Sequence, residues 1–177
     1  MQKECYMNAY RKYVGVAAMG LLLAASGRAW ADDEAALAKA PAAVQAAAKK
    51  IVGDNKLAGF DTETADGKKV YEVSLETKGG GDYSVTLNEA GDVVEREVEV
   101  DAAIVPPDVL DAAQQTHADG KITESSIVTA DGKMFYEFDL KVGKDVHEVR
   151  VNAKGNVLTD TVPPPEADEK DEGGEKK

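Results

Sequence analysis

Residues 65–73 read Ala-Asp-Gly-Lys-Lys-Val-Tyr-Glu-Val, and residues 130–138 read Ala-Asp-Gly-Lys-Met-Phe-Tyr-Glu-Phe, 65 positions later. The match continues upstream at the same offset, where Pro41 recurs as Pro106. Downstream, a one-residue deletion changes the offset to 64, so that Asn88 and Gly91 of Asn-x-x-Gly recur in a second Asn-x-x-Gly. Self-similarity at a fixed period is typical of one supersecondary unit built twice.

Each unit combines a helical pattern with strand patterns. Pro41 and Pro106 stand where a helix can begin without losing a hydrogen bond, and apolar residues follow at three- and four-residue steps. Residues 68–77 then alternate between apolar and polar side chains, which is typical of a strand with one buried face. The Asp-Gly pairs at 66–67 and 131–132 favour tight hairpin turns.

The predicted fold class is α+β, with two tandem repeats, each one helix packed on a three- to four-stranded antiparallel sheet. Repeat 1 spans 41–100, a linker spans 101–105, and repeat 2 spans 106–162. In this prediction Tyr71 and Tyr136 face the two cores, because they are in phase with the apolar residues of their strands.

The two ends of the chain are predicted to lie outside the fold. Residues 1–31 resemble a signal peptide, with basic residues, an apolar run and Ala29-Trp30-Ala31 as the site of cleavage after Ala31. Residues 32–40 are expected to be a flexible lead-in, and 163–177 a disordered tail rich in proline and acidic residues. The apolar run is too short for a membrane span, so the mature protein is expected to be periplasmic or secreted, without a stable membrane anchor.

Composition narrows the classes of partner. The chain carries a net charge of −12, and cleavage of the signal peptide would make this −15. Nucleic acids and anionic lipid surfaces need clustered lysine and arginine, so neither is expected as a partner. Cys5 is the single cysteine, and after its removal each repeat would depend on its core for stability.

The repeated pattern of a helix, a hairpin with Asp-Gly-x-x-x-Tyr-Glu and a later Asn-x-x-Gly resembles the PepSY and PepSY-like family. The PepSY-like branch is related in fold to β-lactamase-inhibitory proteins. The resemblance implies small exported α+β modules that regulate or inhibit an exported enzyme, commonly a peptidase. This chain lacks the cysteines of the β-lactamase-inhibitory proteins, and no segment matches their inhibitory loops.

Few residues are candidates for chemistry. His117 and His147 are the only histidines, and their spacing matches no common metal-ligand pattern. His117 falls near a predicted helix end and His147 replaces Tyr83 of repeat 1, so both are interpreted as structural. The sequence therefore predicts no catalytic residue, no metal ligand and no cofactor, and the protein is not expected to be an enzyme.

A binding role is predicted for one face of the sheet. Val70 and Phe135 occupy equivalent positions among polar residues on the face expected to contact water, so they are predicted to form a binding interface. The leading hypothesis is an exported, non-enzymatic binding module for a protein or peptide of the cell envelope, such as an exported peptidase. The alternative is a protein that binds or senses a small ligand or a divalent cation through its acidic turns and tail.

Overall fold

A computed structural model describes residues 30–65, 67–77 and 82–163. The residues outside these ranges are the predicted signal peptide up to residue 29, Asp66, the glycine-rich segment 78–81 and the predicted tail from residue 164. Within the described ranges, none of the helices is long and apolar enough to cross a membrane.

The described residues form eight strands and three α-helices. The helices are α1 (Trp30–Leu37), α2 (Ala42–Val52) and α3 (Pro107–Thr116), and a short 3₁₀ helix covers Ala102–Ile104. The strands of the first half are β1 (Lys56–Ala65), β2 (Lys68–Glu76), β3 (Asp82–Asn88) and β4 (Val93–Glu99). Those of the second half are β5 (Lys121–Ala130), β6 (Lys133–Val142), β7 (Asp145–Asn152) and β8 (Val157–Thr161).

All eight strands belong to one antiparallel sheet, in the order in which they follow one another in the chain. The predicted α+β class, with two tandem repeats that each pack one helix on a three- to four-stranded sheet of its own, is therefore wrong. Strand β4 pairs with β5 from Glu95 opposite Ala130 to Glu99 opposite Ser126, and this joins the two halves. Separate repeats would leave the backbone N–H and C=O groups along these two edges unpaired, whereas one sheet satisfies them. With 52% of the described residues in strands, the fold is predominantly β.

The helices cover one face of this sheet and create two hydrophobic clusters. Val44 and Ala48 of α2 pack in a cluster with buried residues of the first half, such as Leu75. Val109 of α3 packs in a second cluster with Leu140 and other residues of the second half. The duplication therefore produces two cores beneath one continuous sheet.

The turns explain why the repeated turn residues recur. Asp131 and Gly132 both have positive φ, 51° and 69°, as a type I′ hairpin turn requires. The side-chain oxygen of Asn88 accepts hydrogen bonds from the backbone N–H of Ala90 and Asp92, at 2.9 Å each, and Asn152 repeats the arrangement. These turn geometries account for Asp131 and both asparagines without a bound ligand.

The helices differ from the prediction at the start of the described chain and agree with it at the start of each repeat. Residues 30–37 are helical, where a flexible lead-in was expected from residue 32 onward. Helices α2 and α3 follow Pro41 and Pro106, as predicted, and α3 ends at Thr116 with His117 as its C-terminal cap.

Candidate functional site

The face of the sheet opposite α2 and α3 carries the most distinctive chemistry of the described residues. We call it the acidic face and define it by carboxylates that alternate with the core residues of the strands. Those whose pKa is raised above its ordinary value are Glu63, Glu72, Glu95, Glu97, Glu99, Glu124, Glu137, Asp139 and Glu148. The strand pairing places them together, with Glu95 and Glu97 at the centre of the sheet.

Arg150 of β7 lies among three of these carboxylates. Its guanidinium donates hydrogen bonds to Glu95, at 3.2 Å and 3.4 Å, and to Glu148, at 3.2 Å, and it forms an ion pair with Glu137. All four side chains are buried, so three acidic groups share one cation in a place that excludes most water. We call these four residues the Arg150 cluster.

Burial is the main cause of the raised pKa values. It raises the pKa of Glu148 to about 7 and that of Glu137 well above its ordinary value, although Arg150 opposes both shifts. Burial also raises the pKa of Glu72 to about 8, with further contributions from Glu63 and Glu97. At neutral pH, part of the acidic face therefore holds protons that ordinary surface glutamates would release.

Val70 and Phe135 lie on the acidic face, as their register predicts. Their expected exposure is wrong, because only 7% and 8% of their surfaces contact solvent. The Arg150 guanidinium lies over the Phe135 ring, 5.0 Å from its centroid, and this cation–π contact covers the ring. A binding role for these two side chains stays a prediction, and Phe135 supports Arg150 from below.

The two histidines, interpreted from the sequence as structural, lie side by side on the other face of the sheet. His117 Nε2 is 3.0 Å from one carboxylate oxygen of Asp160, and His147 Nδ1 is 3.1 Å from the other. The ring centroids are 3.9 Å apart, and each of the three side chains is partly exposed. Burial opposes ionisation of Asp160, but the hydrogen bonds from the histidines outweigh it and lower its pKa.

Sequence reasoning missed this grouping, which we call the His–Asp corner. The three residues come from the end of α3, from β7 and from β8, and no local motif links them. A comparison of the two repeats could have pointed to it. The residues of repeat 1 that correspond to His117, His147 and Asp160 are Val52, at an offset of 65, and Tyr83 and Arg96, at an offset of 64. None of these three is a common metal ligand.

Comparisons with known proteins address the fold. No family model matches this chain, and no curated protein matches it. Among solved structures, a proposed periplasmic protein from Bacteroides eggerthii superposes with a TM-score of 0.55 at 20% identity, covering 70% of this chain and 88% of that one. A DUF2874 family protein from Bacteroides uniformis has a TM-score of 0.54 at 18% identity, covering 70% and 89%.

These similarities show a shared fold. A BLIP-like protein from Bacteroides fragilis reaches a TM-score of 0.49 at 16% identity, covering 70% and 86%, which is too low to carry an argument about this chain. Because no family model matches, the resemblance to the PepSY family stays a prediction.

Proposed function

We propose that this protein is an exported, non-enzymatic binding module whose acidic face holds a lysine- or arginine-rich segment of a protein partner. The PepSY-like sequence pattern favours an exported peptidase as that partner, restrained or regulated by the contact. The observation that carries the proposal is the excess of buried carboxylate over cation on the face of the continuous sheet that lies opposite α2 and α3.

Unsatisfied carboxylate oxygens support a cationic occupant. Within the described ranges, Glu63 Oε1 and Glu148 Oε2 are buried without a hydrogen-bond partner. A buried acceptor without a donor costs free energy, and a charged acceptor costs more than a neutral one. Lysine and arginine carry only donors, so a basic segment bound along the acidic face would add donors beside these carboxylates and reduce the repulsion between them.

Because of the raised pKa values, this mode of binding should release protons, which can be measured. Glu72 has a pKa of about 8 and Glu124 a pKa of about 7, so both hold protons for part of the time at pH 7. A bound cation stabilises the ionised form and lowers these pKa values, which releases protons into the buffer. Attraction of a basic peptide to ordinary ionised surface carboxylates would release almost none.

The experiment is calorimetric titration of the protein with an extended peptide of alternating arginine and alanine, at pH 7 and 0.15 M salt. Running it in two buffers with different ionisation enthalpies measures the number of protons released. We expect saturable binding with net proton release, and at least a tenfold loss of affinity in the double variant Glu72→Gln/Glu124→Gln.

The matched control is Glu34→Gln/Glu89→Gln, which removes the same number of carboxyl groups from two exposed residues away from the acidic face. We expect it to bind nearly as tightly as the unmodified protein. Equal weakening in both double variants, or binding without proton release, would show attraction to net charge alone and contradict the proposal.

A further inference from the structure

We infer that the His–Asp corner is a binding site for one divalent transition-metal ion of the zinc type. His117, His147 and Asp160 would supply two imidazole nitrogens and one carboxylate oxygen. The corner lies on the helix-covered side of the sheet, because His147 pairs with Leu140 of the core and Asp160 with Val149. The inference therefore does not depend on the acidic face.

The donor atoms have the spacing that such an ion needs. One ligand atom from each of the three residues lies within 4.8 Å of the others, and the nitrogen–oxygen distances are 3.0 Å and 3.1 Å. Tetrahedral zinc with bonds of about 2.0–2.1 Å holds its ligand atoms about 3.3 Å apart. The two histidine nitrogens lie within 4.8 Å of each other and would approach to this distance around a bound ion.

The duplicated architecture shows that the fold does not need these residues. In repeat 1 the same corner contains Val52 and Tyr83, which pack against the first core, and Arg96 replaces the aspartate. Arg96 pairs with Val85 as Asp160 pairs with Val149, so the backbone positions are equivalent. Where repeat 1 has two packing residues and an arginine, repeat 2 therefore has three residues of the kinds that bind metal ions, close together in space.

The segment that carries His117 is held in place by its neighbours. The Gln114 side-chain amide donates hydrogen bonds to the backbone oxygens of His117 and Gly120, at 3.0 Å and 2.8 Å. Gly120 itself packs closely, since a Cβ there would lie 3.2 Å from the His117 Cβ. A ligand held before the ion arrives loses less conformational freedom on binding.

The donor set selects the class of ion. Calcium and magnesium prefer oxygen ligands, whereas imidazole suits zinc, copper and nickel. Three protein ligands leave one tetrahedral position for water or for a side chain of another molecule. The net charge of −12 raises the local concentration of any cation near the surface.

The experiment is titration of the protein, purified without a polyhistidine tag, with ZnCl₂, followed by calorimetry and by thermal unfolding. Co²⁺ in a parallel sample reports the coordination geometry through its visible absorption. We expect one zinc per chain with a micromolar or tighter dissociation constant, a higher midpoint of unfolding, a tetrahedral cobalt spectrum and no response to Ca²⁺.

The variants take the residues that repeat 1 uses at the same positions. His147→Tyr and His117→Val should fold, and each should lower zinc affinity by at least about tenfold, as should Asp160→Asn. Asp119→Asn, an exposed aspartate two residues from His117, is the matched control and should bind as the unmodified protein does.

Weak binding at several sites, or one-to-one binding that survives His147→Tyr combined with Asp160→Asn, would overturn the inference. An equal response to Ca²⁺ would do the same. In any of these cases the corner would be a hydrogen-bonded bridge that fastens the edge strand β8 to the end of α3. Circular dichroism of each variant identifies a loss of fold, and a variant that remains folded decides the question.

Discussion

Replacement of Arg150 by methionine tests the electrostatics of the acidic face. The substitution keeps most of the side chain's length and leaves Glu95, Glu137 and Glu148 buried without their cation. Their exposed fractions are 5%, 3% and 3%, so water replaces little of the lost interaction. Removing one partner from a buried ion pair costs about 3–5 kcal/mol, and we expect a loss of this size at pH 8.

The expected loss depends on pH in a defined direction. Burial raises the pKa of Glu148 from an ordinary value of 4.5 to about 7. Between these two pH values the folded state binds more protons than the unfolded state. Stability therefore falls as pH rises through this range. Arg150 opposes the rise in the pKa of Glu137 and Glu148, so its removal raises both pKa values further. The pH range over which stability falls then extends to higher pH. At pH 5 Glu148 is mostly neutral and the raised pKa values of Glu95 and Glu137 favour their neutral forms too, so less unpaired charge is buried and the loss should shrink to about 1–2 kcal/mol.

Urea denaturation of both proteins at a series of pH values measures the difference. Arg96→Met is the matched control, since Arg96 lies exposed on the other face of β4, and its effect should stay within about 0.5 kcal/mol. The double variant Glu137→Gln/Arg150→Met should recover part of the stability by removing one buried charge. A loss that is the same at pH 5 and pH 8, or no larger than that of Arg96→Met, would refute the reasoning.

Two further predictions concern the unmodified protein and its turns. Because the pKa values of Glu72 and Glu124 are raised to about 8 and about 7, the free energy of unfolding should fall as pH rises from about 5 to about 8, and Glu72→Gln should flatten this dependence. Denaturation curves across this range would contradict the prediction if stability rose instead. Gly91→Ala should cost about 2–4 kcal/mol, since φ is +79° and the new Cβ would lie 2.7 Å from the Ala43 carbonyl oxygen. Gly132→Ala, at φ +69° with open space around it, should cost about 1 kcal/mol. If urea denaturation showed the same loss of stability for both variants, the close contact of Gly91 with Ala43 of α2 would not matter.

The local structure of each half could be predicted from the sequence because each element depends on nearby residues. The helix starts at Pro41 and Pro106, the Asp131-Gly132 hairpin and the asparagine turns all follow from local chemistry. The pairing of β4 with β5 depends on distant groups instead. In β4, every second residue from Glu95 to Glu99 is a glutamate, as is typical of the solvent-exposed face of an edge strand. The pattern therefore gave no indication that β5 pairs with β4.

The candidate sites were harder to predict, for two different reasons. The alternation of strand residues placed Phe135 on the correct face, but periodicity carries no information about Arg150, which covers the ring from the neighbouring strand. The His–Asp corner joins three elements, and only a position-by-position comparison of the repeats exposes it. Such a comparison needs the register of β3 with β4 and of β7 with β8, which the structure supplies.

The duplication supplies an internal reference for interpreting the second half. Repeat 1 builds the same helix-covered sheet with Thr86 at the position of Arg150 and Tyr83 at the position of His147. Neither Arg150 nor His147 is therefore needed to form the strands or the core. Both lie on β7, and they point to opposite faces of the sheet. The differences between the two repeats thus separate the residues that build the fold from those that give repeat 2 its own chemistry, and exchanging residues between the repeats is the least disruptive way to test each site.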